Sequence, residues 1–166
     1  MEVKSLTADD SNTLLELLIT LDNETKYMML EPNERDTSIA TMENRLANID
    51  ESKVTYIGAF ADNVLVGFIS LWRGSANRAK HSAYIVMGVA SRYTGRGIGG
   101  LLLEAGEKWA KMNCVSRLEM TVMTHNMNAI KLYEKAGFTK EGIKKNSLLV
   151  DGCYVDEYYM GKILGE

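Results

Sequence analysis

A glycine-rich segment in the middle of the chain has the residue types that bind anions. Residues 92–100 read Arg-Tyr-Thr-Gly-Arg-Gly-Ile-Gly-Gly, and the amphipathic segment that follows predicts a helix. Glycines leave backbone N–H groups uncovered by Cβ atoms, and the first turn of a helix carries partial positive charge. The segment therefore predicts a cradle for a phosphate or a pyrophosphate. A simpler alternative is that the glycines only permit a tight turn from strand to helix, although one glycine normally suffices for that.

Three types of phosphate-binding loop compete for this segment. The P-loop is excluded because no Gly-Lys-Ser/Thr follows the glycines. Gly95, Gly97 and Gly100 match the dinucleotide pattern G-x-G-x-x-G, with Glu119 nineteen residues later, which keeps a nicotinamide-dependent oxidoreductase as an alternative. That alternative is disfavoured because the preceding strands predict an antiparallel hairpin and too little chain follows for a doubly wound sheet. The third pattern, R/Q-x-x-G-x-G/A, is matched from Arg92 onwards.

A second motif strengthens the third interpretation. Residues 126–138 read N-x-x-A-I-x-L-Y-E-K-x-G-F. With both motifs at this spacing, the chain resembles the GNAT superfamily of N-acetyltransferases, whose coenzyme A pyrophosphate loop has the pattern found at Arg92. The final strand, with Asp156-Glu157-Tyr158-Tyr159-Met160-x-Lys162, is also similar to many members. The resemblance extends from about Val54 to Leu164.

The resemblance implies acetyl-CoA as cosubstrate and direct transfer of its acetyl group to a primary amine of a small molecule or a protein. It places the pyrophosphate on the glycine loop and the pantetheine arm along the preceding strand, where the Val89 N–H would polarise the thioester carbonyl. Asn126 would hold the cofactor arm or end its strand, and Asn128 would do the same or cap a helix. The cofactor-binding residues that the resemblance implies are Met87, Gly88, Val89, Arg92, Gly95, Arg96, Gly97, Ile98, Gly99, Gly100, Asn126 and Asn128.

Tyr133 is the candidate general acid that the second motif implies. A phenol with an ordinary pKa of about 10 still carries its proton at neutral pH and can donate it to a departing thiolate. The alternative is an aromatic core residue on an amphipathic helix. The general base is less defined, because relatives place a glutamate on the strand before the loop and residues 83–87 contain none. Glu119, or a water bound to it or to His81, is the candidate base.

Two acidic residues indicate where the acceptor would enter. Glu31 and Glu34 lie in the connection between the first two predicted helices, where an acidic rim would attract a cationic amine. An ordinary solvated loop is the alternative. The missing strand carboxylate also leaves open a second function, an acyl-CoA-binding regulatory or interaction module without transferase activity.

The elements that must position these residues predict an α+β protein. Periodicity predicts one domain over residues 1–166, with a mixed central sheet of about six to seven strands flanked by about four helices and a cofactor-binding core at about 80–140. Strands at Val54–Ala61 and Val64–Trp72 are joined by a tight turn at Asp62-Asn63. Thr7 is the expected cap of the first helix, and Asp36 or Thr37 that of the second.

Composition narrows the classes of partner. The 166 residues carry a net charge of −3, which disfavours nucleic-acid binding. The sequence shows no metal-ligand spacing, apolar leader or stretch long enough for a membrane span, so we expect no metal, no membrane partner and a cytoplasmic location. Cys114 and Cys153 are expected to be free thiols, buried or partly buried. A homodimer is compatible with the sequence.

Overall fold

The protein folds around a seven-stranded mixed sheet. The structure is a computed structural model and describes residues 1–165. The strands are β1 Glu2–Ser5, β2 Val54–Ala61, β3 Val64–Arg73, β4 Ser82–Val89, β5 Arg117–Met123, β6 Thr139–Val150 and β7 Cys153–Ile163. Their order in the sheet is β1-β2-β3-β4-β5-β7-β6. The α-helices are α1 Ser11–Glu24, α2 Ile39–Ala47, α3 Ile98–Met112 and α4 Met127–Lys135. The predicted α+β class and mixed sheet are confirmed.

Local chemistry explains the central hairpin. β2 and β3 are rich in β-branched and aromatic residues, and Asp62 and Asn63 join them with φ angles of 50° and 64°. Positive φ at both central residues is the requirement of the type I′ turn, whose twist matches that of paired strands. The predicted turn is therefore confirmed at these two residues.

The N-terminal part of the fold departs from the sequence-based expectation at two points. The short strand β1 pairs antiparallel with β2, Val3 opposite Ala59, although its polar sequence shows no strand periodicity. The N-cap of α2 is Ser38, whose hydroxyl accepts a hydrogen bond from the Thr41 N–H at 3.2 Å, so the caps expected at Asp36 or Thr37 were wrong.

Each face of the sheet is covered by one helical layer. On one face, α3 and α4 bury an apolar cluster that includes Leu102, Leu118 and Ile130. On the other face, α1 and α2 bury a second cluster that includes Leu14 and Phe68. α1 packs on β3, and α1 and α2 together bury Tyr56 of β2 and Phe68 of β3. Leu21 of α1 also lies beside Gly88 of β4.

Two further observations concern the surface. Cys114 and Cys153 are both exposed, so the expectation of buried thiols was wrong. Cys114 has a positive φ of 56° in the turn that ends α3, and Cys153 begins β7 after its hairpin turn. Among residues 1–165, no helix combines the length and apolar character needed to cross a bilayer.

The two neighbouring leucines of α3 test the packing of the larger cluster. Leu102 is fully buried, and we expect Leu102→Ala to lower the free energy of unfolding by about 2–5 kcal/mol because it leaves a cavity. Leu101 is 42% exposed, and Leu101→Ala should change that free energy by about 0.5 kcal/mol or less. Equal losses for both variants in urea denaturation would contradict the assigned helix face.

Candidate active site

The site is built around a gap between β4 and β5. The two parallel strands pair only at residues 82–84 of β4 and 117–119 of β5, and they diverge beyond that point. The Ala90 N–H donates to the Val66 carbonyl on β3 at 2.9 Å. Because backbone groups alternate sides along an antiparallel strand, the N–H groups of Met87 and Val89 point away from β3 and into the gap. These donors have the direction that an extended ligand arm requires.

Tyr84 bridges the gap where it opens. Its hydroxyl lies 2.8 Å from Thr121 Oγ1 and also accepts a hydrogen bond from the Thr121 N–H at 3.3 Å. A β5 backbone donor that has lost its strand partner is thus satisfied by a side chain of β4. The open end of the gap is therefore stabilised by a contact between a β4 side chain and β5.

The glycine loop leads from β4 into the start of α3. Gly95 and Gly97 have φ angles of 74° and 80°, which non-glycine residues rarely adopt. A Cβ atom built at Gly95, Gly97 or Gly100 would meet no heavy atom within 4 Å. The first N–H groups of α3, at residues 98–100, have no partner in a preceding helical turn. The loop therefore leaves open space beside backbone donors, as the predicted anion cradle requires.

Arg92 and Arg96 support the loop from outside the cavity. Their guanidinium groups lie 5.3 and 5.1 Å from the centre of the Tyr93 ring, and Arg96 Nη2 donates to the Arg92 carbonyl at 3.1 Å. Glu24 at the end of α1 accepts the Ser91 N–H at 2.8 Å. The two arginines do not line the cavity. Their position therefore favours a role in shaping the loop over direct contact with a ligand inside the cavity.

One cavity of about 1040 Å³ joins the loop, the gap and the opposite face of the sheet. The structure brings most of the predicted cofactor residues onto its wall, namely Met87, Gly88, Val89, Gly95, Gly97, Ile98, Gly99, Gly100, Asn126 and Asn128. Gly88 has a second role in packing, because a Cβ there would lie 2.7 Å from Leu21 Cδ1 of α1. Gly99 similarly lets α4 approach, since its Cβ would lie 2.6 Å from Leu132 Cδ2.

The two asparagines have different places. Asn126 is the N-cap of α4, and its Oδ1 accepts the Ala129 N–H at 3.3 Å. Asn128 lies within the first turn of α4, so the cap expected at Asn128 belongs to Asn126. The Asn126 side-chain amide donors bind no other group within residues 1–165, and they line the cavity.

Tyr133 lies on α4 against the gap. It is 8% exposed, and its ring packs edge-on against Phe138 with centroids 6.0 Å apart. Its hydroxyl makes no hydrogen bond within the described chain, yet the oxygen is accessible to solvent. Because Tyr133 lines the cavity, we infer that the hydroxyl opens onto it. Burial, and to a smaller extent the nearby Tyr84, raises the pKa of Tyr133 well above its ordinary value. The phenol therefore keeps its proton and can act as a donor.

The predicted base and acceptor residues lie elsewhere. Glu119 accepts from Arg117 Nε at 2.9 Å and lines a separate cavity of about 400 Å³ on the outer part of the sheet. Arg117 also binds Glu141, whose pKa it holds below the ordinary value. The structure thus does not bring Glu119 to Tyr133, because β5 directs the carboxylate toward a structural arginine.

Glu31 and Glu34 are likewise absent from the cavity wall. Glu34 Oε2 accepts the Glu31 N–H at 2.9 Å, which closes a local turn with both residues exposed. The connection reaches the cavity with the largely apolar residues Tyr27 to Leu30 and also with Thr25 and Arg35, which is paired with Asp22 of α1.

The part of the cavity wall formed by β2, β3 and β7, away from the glycine loop, is called the acceptor side below. It contains residues that sequence reasoning missed. Tyr56 packs edge-on against Trp72 with centroids 5.8 Å apart, and Trp72 Nε1 donates to Ser70 Oγ at 3.1 Å. Glu157 of β7 also lines this wall and is 5% exposed. Glu157 belongs to the final-strand pattern of residues 156–162, but nothing in the sequence distinguished it from Asp156 beside it. The α1–α2 connection is tied across this side by an ion pair between Lys26 and Asp151.

Metal chemistry finds no support in the described part of the chain, where no group of three or more potential ligands comes together. Oxygen, nitrogen and sulfur ligands must converge to hold a metal ion. The wall of the main cavity offers backbone amides and phenols, including that of Tyr133. Among the described residues its charged side chains are Glu24, Glu157, Arg35, Arg45, Lys131 and Lys135.

Comparisons with known proteins agree with this geometry. The model of the acetyltransferase (GNAT) family matches residues 16–138. The chain is 34% identical over 125 residues to the L-amino acid N-acetyltransferase AaaT of Escherichia coli K12, covering 73% of this chain and 74% of that protein. A GNAT-family acetyltransferase from Streptococcus pneumoniae superposes with a TM-score of 0.88 at 26% identity and 99% coverage of both chains.

A second solved structure bears on the fold alone. The yncA protein of Salmonella typhimurium, a putative acetyltransferase solved with its cofactor acetyl-CoA, has a TM-score of 0.85 at 18% identity. The likeness covers 100% of this chain and 95% of that one. With the family model spanning most of the chain, the conclusion is that this protein belongs to the GNAT acetyltransferase family and is an acyl-CoA-dependent N-acetyltransferase with acetyl-CoA as cosubstrate.

Proposed function

We propose that this enzyme transfers the acetyl group directly from acetyl-CoA to a primary amine of a small molecule or a protein, with Tyr133 as general acid. The observation that carries this proposal is the position of the Tyr133 hydroxyl, which opens onto the cavity that joins the glycine loop to the far side of the sheet. A proton donor is needed there because the thiol must leave as the acetyl group departs.

The chain's own backbone supports the placement of the cofactor. The glycine loop and the first N–H groups of α3 would hold the pyrophosphate, with Gly95, Gly97 and Gly100 leaving room for it. Met87 and Val89 would pair with the pantetheine arm as an added strand, and the Val89 N–H would polarise the carbonyl. Acetyl-CoA supplies an acyl group activated as a thioester.

The acceptor is proposed at the level of a primary amine. The relative AaaT is named an L-amino acid N-acetyltransferase, which supports an amino group on a small molecule. The wall opposite the cofactor side is aromatic and apolar around Tyr56, Trp72 and Met28, and it carries the cation Arg45 beside Tyr56. We therefore expect an amine attached to an apolar body to be accepted better than a highly charged polyamine.

Two expectations from the sequence stay predictions. These are a cytoplasmic location and a homodimer. We expect the dimer contact at the β6–β7 edge, where Ile143, Leu149 and Tyr154 are 49%, 62% and 70% exposed. Sedimentation of the purified protein would show a monomer if this expectation is wrong.

Release of CoA thiol in an amine panel tests the transferase function. With acetyl-CoA present, we expect thiol release to depend on an added amine in a panel of L-amino acids, phenethylamine, spermidine and an alanine-initiated peptide. Acetyl-CoA should also raise Tm, by mass action on the folded state. Binding of acetyl-CoA without amine-dependent thiol release would instead support the alternative of an acyl-CoA-binding module.

Tyr133→Phe tests the general acid. The variant should lower kcat about 10²-fold or more while leaving the Kd of acetyl-CoA and the Tm near wild type, because the hydroxyl makes no hydrogen bond within residues 1–165. Tyr154→Phe, on an exposed tyrosine of β7, is the control and should have wild-type kcat. An unchanged kcat in Tyr133→Phe would remove Tyr133 from the mechanism.

The raised pKa of Tyr133 gives a second test of the same residue. A group whose pKa is raised keeps its proton to higher pH, so kcat should show no fall from Tyr133 ionisation up to pH of about 10. A fall in the wild-type profile between about pH 9 and 10 that is absent from Tyr133→Phe would contradict the effect of burial.

Gly100→Val tests the anion cradle independently of the fold. A Cβ atom at this position faces open space, and valine has no lower helix propensity than glycine. We therefore expect Tm to be unchanged or higher, while acetyl-CoA binds at least about tenfold more weakly by calorimetry. Wild-type affinity in this variant would mean that the pyrophosphate lies elsewhere.

A further inference from the structure

Glu157 is a buried acid on the acceptor side of the cavity. It lies on β7 opposite Met123 of β5, in the part of β5 that has already diverged from β4. Its side chain is only 5% exposed. Such burial is unusual for a carboxylate, because a buried charge is costly without a cation or hydrogen-bond donor beside it.

Within residues 1–165, no Lys, Arg or His side chain forms an ion pair with Glu157, although Arg35, Arg45, Lys131 and Lys135 line the same cavity. No Lys, Arg or His nitrogen lies within 4 Å of its carboxylate, and its cross-strand neighbour Lys144 is exposed and does not reach it. Its only hydrogen bond comes from the Ser147 hydroxyl, which donates to Oε2. Oε1 accepts no hydrogen bond in this part of the chain, yet it is not sealed from solvent. Because Glu157 lines the main cavity, Oε1 opens onto that cavity.

A bulge in β6 holds this arrangement. The register of β6 against β7 shifts between Lys144 and Leu148, and Asn146 has a φ of 47°. Asp156 fixes the bulge by accepting the Asn146 N–H at 2.8 Å and pairing with Lys145 Nζ at 2.9 Å. Bulges commonly re-aim side chains beside active sites. This one brings Ser147 to Glu157 and leaves the other carboxylate oxygen free.

The remaining carboxylates are engaged or distant. Glu24 is the other acid among the described residues on the cavity wall, but it lies beside the loop and binds the Ser91 N–H at 2.8 Å. Glu119 binds Arg117 in the separate cavity, and Glu31 and Glu34 lie outside the wall. Glu157 is thus the acid that combines burial, an open oxygen and a place on the acceptor side.

We propose that Glu157 binds the ammonium group of the acceptor and takes its proton, so that the site accepts primary alkylamines with an apolar body. This inference rests on the proposed transferase function. The amine first gives one proton to the Glu157 carboxylate, and its nitrogen then bonds to the acetyl carbon as the carbon–sulfur bond breaks. Sulfur takes the Tyr133 proton, the second proton lost from nitrogen restores Tyr133, and Glu157 releases its proton to water.

Binding of two matched probes tests the recognition of the ammonium group without turnover. In the presence of saturating CoA, calorimetry should show that the wild type binds phenethylamine at least about tenfold more tightly than the neutral 2-phenylethanol. Glu157→Gln should bind the two probes equally. A wild type with no preference, or a variant that keeps the preference, overturns the proposal.

Kinetics with a second matched pair tests the proton transfer. Glu157→Gln should lower kcat/KM at least about 10²-fold with phenethylamine, which is protonated at neutral pH. With phenylacetic hydrazide, whose terminal nitrogen is already neutral, the loss should be no more than threefold. Equal losses with both acceptors would show a structural role and overturn the proposal.

Further variants separate the possible failures. Glu157→Asp keeps the charge and should recover part of the preference for phenethylamine, which keeps the test decisive if Glu157→Gln folds poorly. Glu104→Gln on the exposed face of α3 is the control, and Glu119→Gln should also match wild type. A large loss in Glu119→Gln instead of Glu157→Gln would move the base to β5. Failure of the wild type to bind acetyl-CoA would refute the proposed function itself, whereas intact acetyl-CoA binding without the ammonium preference would refute only the role of Glu157.

Discussion

The divergence of β4 from β5 is the constraint on which the site depends. Beyond Tyr84 and Glu119 the two strands no longer pair, and the N–H groups of Met87 and Val89 face a gap instead of a neighbouring strand. Buried backbone N–H groups normally require hydrogen-bond acceptors. A sheet opened in this way leaves N–H groups with which an extended ligand can pair. The glycine loop and the start of α3 lie at the same gap, so the anion-binding and strand-like parts of the cofactor site share one origin.

The two sides of the cavity present different chemical groups. On the proposed cofactor side these are mainly backbone N–H groups, and Gly95, Gly97 and Gly100 leave space beside them. On the proposed acceptor side they are side chains from β2, β3 and β7 and from the α1–α2 connection. Substitutions there can change the acceptor without disturbing the gap, because these side chains do not form the β4–β5 junction.

Tyr133 and Glu157 are two buried side chains on the cavity wall, 8% and 5% exposed. Burial raises the pKa of Tyr133, which keeps a proton available beside the gap. Glu157 receives one hydroxyl hydrogen bond within residues 1–165, from Ser147. The proposed proton donor and proton acceptor therefore lie on α4 and β7, two elements that approach the gap separately.

The sequence by itself determined the features that arise from neighbouring residues. The Asp62-Asn63 turn, the glycine loop, the amphipathic face of α3 and the place of Tyr133 in its motif could all be predicted, because turn chemistry and periodicity are local. Only the tertiary structure decided which carboxylate faces the cavity. Glu119 was predicted because it lies on the strand next to the one that lacks a glutamate, yet Arg117 binds it in another cavity. The β6 bulge and the β5–β7 register instead bring Glu157, which is distant in sequence, to the main cavity. Register and bulges depend on contacts between residues far apart in the chain, which local patterns do not encode.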